Sequence, residues 1–183
     1  MRVLALALAS TAAVLTSCAK PVVSTAADAP ASSSAPDSAA ADVSAKPAKL
    51  GDTITLKGVN PGEAATVTLV KVLNLTKGGQ FDAPDAGTQF AAAQFRVKNS
   101  GSVPYSDSPS NGAKVLDASG QQFDAQIVTK IAAGPLLPAS VKLAPGGQAL
   151  GYIAFQVPKG TKLTGVQFSM NSGFGSTAEW KLV

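Results

Sequence analysis

Apolar and polar side chains alternate with period two through most of the chain beyond residue 50. Thr53-Ile54-Thr55-Leu56 alternates, and ATVTLVKVLNL (65–75) puts Val67, Leu69, Lys71 and Leu73 on one parity, with Val70 and Val72 on the other. Ala91, Ala93, Phe95 and Val97 share a face from which Gln94, Arg96 and Lys98 point away. Phe123, Ala125 and Ile127 extend into Val128–Ile131, and Ala149, Gly151, Ile153, Phe155 and Val157 alternate across Gln148, Tyr152 and Gln156. Val166, Phe168 and Met170 form a further run, as do Trp180 and Leu182. Each pattern predicts a strand with one buried face. Between the runs lie Asn60-Pro61-Gly62, Lys77-Gly78-Gly79, Asn99-Ser100-Gly101, Ser119-Gly120, Pro145-Gly146-Gly147, Lys159-Gly160 and Asn171-Ser172-Gly173. Glycine and asparagine there supply positive φ, and proline presets the turn. No window of ten or more residues holds an uninterrupted helical stripe with caps. The patterns therefore predict an all-β domain over residues 50–183, an antiparallel β-sandwich of seven to eight strands, with a closed barrel as the alternative architecture.

The N-terminus has a different pattern. Met1-Arg2 is a short positive segment, and Val3–Leu15 (VLALALASTAAVL) is a continuous apolar run. The run is shorter than the about 20 residues that span a bilayer core, and it has the length of a secretory signal. Leu15-Thr16-Ser17-Cys18 resembles the bacterial lipobox, in which a leucine stands three positions before the cysteine and a small residue directly before it. That resemblance implies that residues 1–17 are a lipoprotein signal peptide recognised through Leu15, Thr16 and Ser17. It also implies that the Cys18 sulfur receives a diacylglycerol and that the freed amine is open to acylation. The alternative is an ordinary signal peptide cut after Ala26 or Ala27, which would discard Cys18. Two acyl chains on one residue provide stable anchoring where a single chain binds only reversibly. The expected location is extracytoplasmic, on the outer leaflet of the bacterial cell membrane.

Composition separates the next segment from the domain. Residues 19–49 contain no aromatic residue, no Leu, Ile or Met and no Gly, and their three lysines balance three aspartates. Such a stretch cannot bury enough apolar surface to offset the entropy of ordering, and Pro21, Pro30, Pro36 and Pro47 interrupt every helical run. Residues 18–49, beginning with the lipidated cysteine, are therefore expected to form a disordered tether. Its random-coil reach is about 30 Å, and its stretched reach roughly 100 Å.

Within the domain, Phe95-Arg96-Val97-Lys98-Asn99-Ser100-Gly101 reads as a strand ending in an Asn-x-Gly turn. Val115-Leu116-Asp117-Ala118-Ser119-Gly120-Gln121-Gln122-Phe123 comes next as an x-Asp-x-x-Gly-x-x-aromatic hairpin. Leu143-Ala144-Pro145-Gly146-Gly147 then leads into Gly151-Tyr152-Ile153-Ala154-Phe155-Gln156-Val157-Pro158. This order resembles the telokin-like, immunoglobulin-fold family of bacterial secreted proteins and lipoproteins, a fold shared by a mycobacterial immunoprotective extracellular protein. The family's domain has no assigned function. The resemblance covers about residues 50–183 and implies an immunoglobulin-like sandwich. The central strands lack the Cys and Trp that mark antibody domains.

Absent residue types narrow the chemistry. The chain has no histidine and one cysteine, so a Ser-His-Asp triad, a Cys-His pair and an imidazole-ligated metal are excluded. Asp82 and Asp85 in FDAPDAG, with Asp107 or Asp124, could be read as an oxygen-rich calcium loop, but their spacing matches no EF-hand. The expectation is a non-enzyme with no cofactor and no bound metal. Residues 50–183 carry 11 Lys/Arg and 8 Asp/Glu. The lysines are scattered, which reads as solvated strand faces with at most a weak attraction to anionic lipid or wall polymer. Export excludes nucleic acid as a partner.

Two segments stand out as partner contacts. Pro135, Leu136 and Leu137 lie in the apolar segment Gly134–Pro138 where loop residues should be polar, and Phe174 sits between two glycines. Either these side chains fold back over the open end of the sandwich, or they form an exposed patch that binds a protein. The expected function is a lipid-anchored cell-surface protein presenting an Ig-like binding or adhesion module to an envelope or extracellular protein. The alternative is a carrier or sensor of a small ligand or metal ion.

Overall fold

A computed structural model describes residues 48–182. Cys18, Leu15, Thr16, Ser17 and the segment read as signal and tether up to residue 47 lie outside the described residues. The strands are β1 (Ala48–Lys49), β2 (Thr53–Lys57), β3 (Ala64–Thr76), β4 (Thr88–Asn99), β5 (Tyr105–Asp107), β6 (Ala113–Asp117), β7 (Gln122–Gln126), β8 (Val141–Leu143), β9 (Gln148–Pro158), β10 (Leu163–Ser169) and β11 (Thr177–Lys181). The described residues thus form an all-β structure. Eleven strands stand where alternation predicted seven to eight. The three additions, β1, β5 and β8, are two or three residues long, too short to display a period.

Nine strands form one sheet in the order β1-β11-β10-β6-β7-β9-β4-β3-β2, and β5 pairs with β8. The large sheet turns at β7, which pairs with β6 on one side and with β9 on the other. Its two halves face each other across one core. Phe95 of β4 lies 5.2 Å from Phe168 of β10 and 6.2 Å from Trp180 of β11, measured between ring centroids. The sheet ends also approach each other: Ser176 N donates to Lys57 O at 2.9 Å, and Trp180 Nε1 donates to Asp52 O at 3.0 Å. The result is nearly barrel-like.

Alternation placed the core well. Val67, Leu69, Ala91, Ala93, Phe95, Val97, Ile153, Phe155, Val157, Val166, Phe168, Met170 and Trp180 all join it. Lys71 shares the parity of Val67 and Leu69 yet is exposed. A register shift between Leu69 and Lys71 explains this, because the extra residue reverses which parity faces inward, and Val72 packs on the core instead.

Positive φ is found as expected at Gly62, Gly120, Gly146, Gly160, Asn171 and Gly173, but not at Gly78, Gly79 or Gly101; at Gly78 and Gly101 the missing Cβ instead permits close approach, to Asp82 O and Gly62 O. Gly147 N donates to Ala144 O at 2.8 Å, with Pro145 and Gly146 between them and Gly146 at φ +83°. This is a type II turn, whose third position needs positive φ. In the β6–β7 hairpin the Asp117 carboxylate accepts from Ser119 N, Ser119 Oγ and Gln121 N at 2.9, 2.6 and 2.9 Å. These bonds hold its carboxyl below the usual aspartate range, Ser119 contributing most.

One strand expectation fails. β7 ends at Gln126, and Val128–Ile131 leaves the sheet. The chain instead crosses the outer face of β4 and β9, where Ile131 packs with Ala92, Tyr152 and Ala154 in a second apolar cluster. Both faces of β4 and β9 are apolar here, so the outer one needs a cover as well. Asp82 ties that cover to the β3–β4 loop: its carboxylate accepts from Thr129 N at 2.8 Å, Thr129 Oγ1 at 2.6 Å and Lys130 N at 3.0 Å. These donors, Thr129 foremost, lower the pKa of Asp82.

Candidate functional site

The segment covering β9 forms one wall of an apolar groove on the surface. After Lys130 the chain runs to Pro135–Leu137 and lies parallel to β9, Leu136 bridging with Tyr152. Tyr152 N donates to Pro135 O at 2.9 Å, and Leu137 N donates to Tyr152 O at 2.8 Å. Gly151 permits this approach. A Cβ there would meet Leu137 N at 2.5 Å and the Leu136 carbonyl carbon at 2.7 Å.

Between this segment and the end of β7 lies a groove of about 370 Å³. Leu136, Leu137, Tyr152, Ile127 and Val128 supply its apolar walls, and Ser108, Ser110, Asn111 and Gln126 supply an uncharged polar rim. Ile127 is 92 % exposed. It is the first residue past β7, where the strand parity that half-buries Phe123 and Ala125 no longer has a sheet to meet.

The predicted contact residues divide. Leu137 belongs to the main core and is only 6 % exposed where it lines the groove, which leaves little of it for a surface contact. Leu136 is half-buried and packs on the second cluster, and Pro135 is exposed. Phe174 is 84 % exposed and does not line the groove. Sequence reading missed Ile127 as a surface residue and missed Tyr152 and the Ser108–Asn111 rim altogether. Only the end of β7 at Gln126 gives Ile127 its role, and no local pattern marks it.

Phe174 is displayed by a firmly held turn. Asn171 and Ser172 both adopt positive φ, 52° and 55°, a conformation uncommon for residues with a Cβ. Side-chain bonds hold them there. Asn171 Oδ1 accepts from Val59 N at 3.1 Å, Asn171 Nδ2 donates to Glu63 Oε2 at 3.1 Å, and Ser172 Oγ donates to Asp107 Oδ1 at 2.9 Å. Asn60 and Asn171 donors keep the Glu63 carboxyl below the usual range, Asn60 contributing most. Buried Asp107 also accepts from Tyr105 OH at 3.0 Å and Ser108 N at 2.7 Å. Burial first, and Asp107 second, push the Tyr105 phenol up. The 3-10 turn Pro109–Gly112 packs closely on this turn and the end of β10, since a Cβ on Gly112 would lie 3.2 Å from Gly173 N and 2.1 Å from Ser169 O.

The acids weighed as calcium ligands are otherwise engaged. Asp82 staples the cover, Asp107 holds the Ser172 turn, Gln156 Nε2 donates to Asp85 at 2.7 Å and Lys114 pairs with Asp124. Among the described residues no three His, Cys, Asp or Glu side chains gather as a metal site.

A family model described as a domain of unknown function, DUF4352, matches residues 41–179. The chain belongs to the DUF4352 family. A search of curated proteins finds no match. Solved structures share the fold seen here, three of which follow. MPT63, a secreted protein from Mycobacterium tuberculosis, superposes with a TM-score of 0.53 at 22 % identity, covering 76 % of this chain and 100 % of MPT63. The YjhA protein of Bacillus subtilis gives 0.53 at 14 % identity, covering 74 % of this chain and 99 % of its own. YcdA of Bacillus subtilis, an inferred lipoprotein, gives 0.51 at 12 % identity over 73 % of this chain, which spans only 39 % of YcdA. At these identities the likeness is one of fold.

Proposed function

We propose that this DUF4352 protein is a lipid-anchored cell-surface module that presents an Ig-like β-sandwich, the two halves of its large sheet joined at β7, to an extracytoplasmic protein partner. The groove beside Ile127 carries the binding part of this reading. A 92 %-exposed isoleucine next to half-buried Leu136, inside an uncharged polar rim, has the make-up of a protein contact: an apolar centre with water-excluding polar edges. Phe174, held on its constrained turn, is a second contact whose ordering cost is already met. Anchoring rests on the Leu15-Thr16-Ser17-Cys18 motif. The secreted MPT63 and the inferred lipoprotein YcdA support an extracytoplasmic place. Tyr152 is the one titratable side chain in the groove lining, which favours binding over catalysis.

The test is the size of native complexes released from envelopes by mild detergent. The wild-type chain should run larger than its monomer, and Ile127→Asp should run as monomer with an unchanged melting temperature. Monomeric wild type, or an Ile127→Asp chain still in the complex, refutes binding at the groove. Cys18→Ser should separately move the protein out of the membrane fraction. The groove's volume of about 370 Å³ also falls in the range of small-molecule sites, and it is what favours the carrier reading. A ligand-dependent rise in melting temperature across a metabolite and metal screen would replace the protein partner with that reading.

A further inference from the structure

A second groove, of about 440 Å³, opens where β1 enters the fold. Lys49, Lys162 and Lys181 line it, over a floor that includes Val72, Leu163 and Leu182. No acid is among its lining residues. Lys49 and Lys181 are direct register partners in the parallel β1–β11 pair. Like charges so placed repel, and a third lysine joins them. Two carboxylates on the neighbouring residues are bonded elsewhere, Asp52 Oδ2 accepting from the Lys49 backbone N–H at 2.8 Å and Glu179 Oε2 from Gln167 at 2.9 Å. Among the described residues the ion pair is Lys114 with Asp124, on the β6–β7 hairpin. Leu50 stands beside Lys49 and is half exposed. The groove is therefore cationic at its rim and apolar within.

We propose that this groove docks an anionic phospholipid of the membrane surface, the three ammonium groups taking the phosphate and Leu50 and Leu182 contacting the first acyl methylenes. Phosphate removes the lysine repulsion, and the leucines give a lipid an affinity that free phosphate cannot have. Position favours the same occupant, because the residues leading from Cys18 join the domain at β1, beside Lys49. The proposal rests on the membrane location argued above, but not on the Ile127 groove. Its consequence is orientation: with the Lys49 end held at the lipid, the domain stands in a defined pose at the end of its tether.

The experiment uses the full chain carrying Cys18→Ser, so that no acyl group contributes, in sedimentation with phosphatidylcholine vesicles with and without phosphatidylglycerol. Binding in excess of the phosphatidylcholine baseline is the readout. Each lysine near an anionic surface contributes enough that Lys49→Gln/Lys162→Gln/Lys181→Gln should weaken the phosphatidylglycerol-dependent affinity about a hundredfold. Leu50→Ser, which keeps every charge, should weaken it as well. The control Lys57→Gln/Lys71→Gln/Lys98→Gln removes equal charge elsewhere and should leave binding nearly unchanged. Absence of phosphatidylglycerol dependence, equal loss in the control, or full competition by inorganic phosphate would each overturn the proposal. Fractionation of the Cys18→Ser chain tests anchoring separately, so the two failures are distinguishable.

Discussion

Removing the Asn99 side chain should cost this domain a large part of its stability. Asn99 is 1 % exposed, at the end of β4. Its Nδ2 donates to Val103 O at 2.9 Å and to Leu143 O at 3.0 Å, and its Oδ1 accepts from Gly101 N at 2.9 Å. Its backbone pairs with both glycines of the next turn, Asn99 N to Gly147 O and Gly146 N to Asn99 O, each at 2.9 Å. One amide thus joins β4, the loop after it and the β8–β9 connection. Asn99→Ala takes the amide donor from two carbonyls, while the Gly101 N–H keeps its second acceptor, Ala64 O at 3.0 Å. At about 1–3 kcal/mol per buried orphan, with both carbonyls at the low end because each has a second lone pair, the loss should be about 2 kcal/mol. That is a sizeable part of the roughly 5–15 kcal/mol that holds an ordinary domain folded. Asn99→Asp is nearly isosteric but turns an oxygen toward two carbonyl oxygens, which raises the new carboxyl's folded pKa. Its penalty should be small below the unperturbed aspartate value near 3.9, grow by about 1.4 kcal/mol per pH unit from there to the raised folded value, and stay constant above that. Urea unfolding followed by the single tryptophan, Trp180, fully buried in the core, reads both effects. A loss under about 1 kcal/mol for Asn99→Ala, or an Asn99→Asp chain as stable as wild type at neutral pH, would refute the reasoning.

Two further outcomes concern the cover over β9 and the β6–β7 hairpin. Gly151→Ala would push the Cβ into the Leu136–Leu137 backbone, so it should cost about 1–3 kcal/mol and speed hydrogen exchange at Leu137 N; unchanged exchange there would mean the segment is not held by Tyr152. Asp82 and Asp117 have lowered carboxyl pKa values, so their contribution is present above the ordinary aspartate value of 3.8 and fades as pH falls through the lower folded values. Melting temperature against pH should therefore fall less steeply on the acid side for Asp82→Asn/Asp117→Asn than for wild type, and parallel curves would contradict the assignment.

Long strands were legible because burial on one face leaves a period-two record. The first half of β3 and the second half of β4 display it without ambiguity, whereas the middles of β4 and β9 are buried on both faces. β5 and β8 have three residues each and pair only with one another, so no period could reveal them. Ile127 and Val128 continue an apolar run whose parity gives no sign that the sheet has ended. The order of the turns around Asn99, Asp117 and Gly146 read correctly because each carries its own local hydrogen-bond chemistry. The candidate site was half legible. An apolar Pro135–Leu137 signalled an unusual segment, but the partner surfaces it meets, Tyr152 from β9 and Ser108–Asn111 from another loop, are brought there only by the fold. Leu137 looked the same as Leu136 in sequence, yet it joins the main core while Leu136 packs on the second cluster.

The most direct test of the binding claim is site-specific photo-crosslinking in intact cells. A photoreactive side chain at Ile127 should give a covalent adduct of discrete mass, one at Phe174 should give the same partner, and one at exposed Thr55 on β2 should give none. No adduct from Ile127, or the same adduct from all three positions, would contradict a partner seated at the groove.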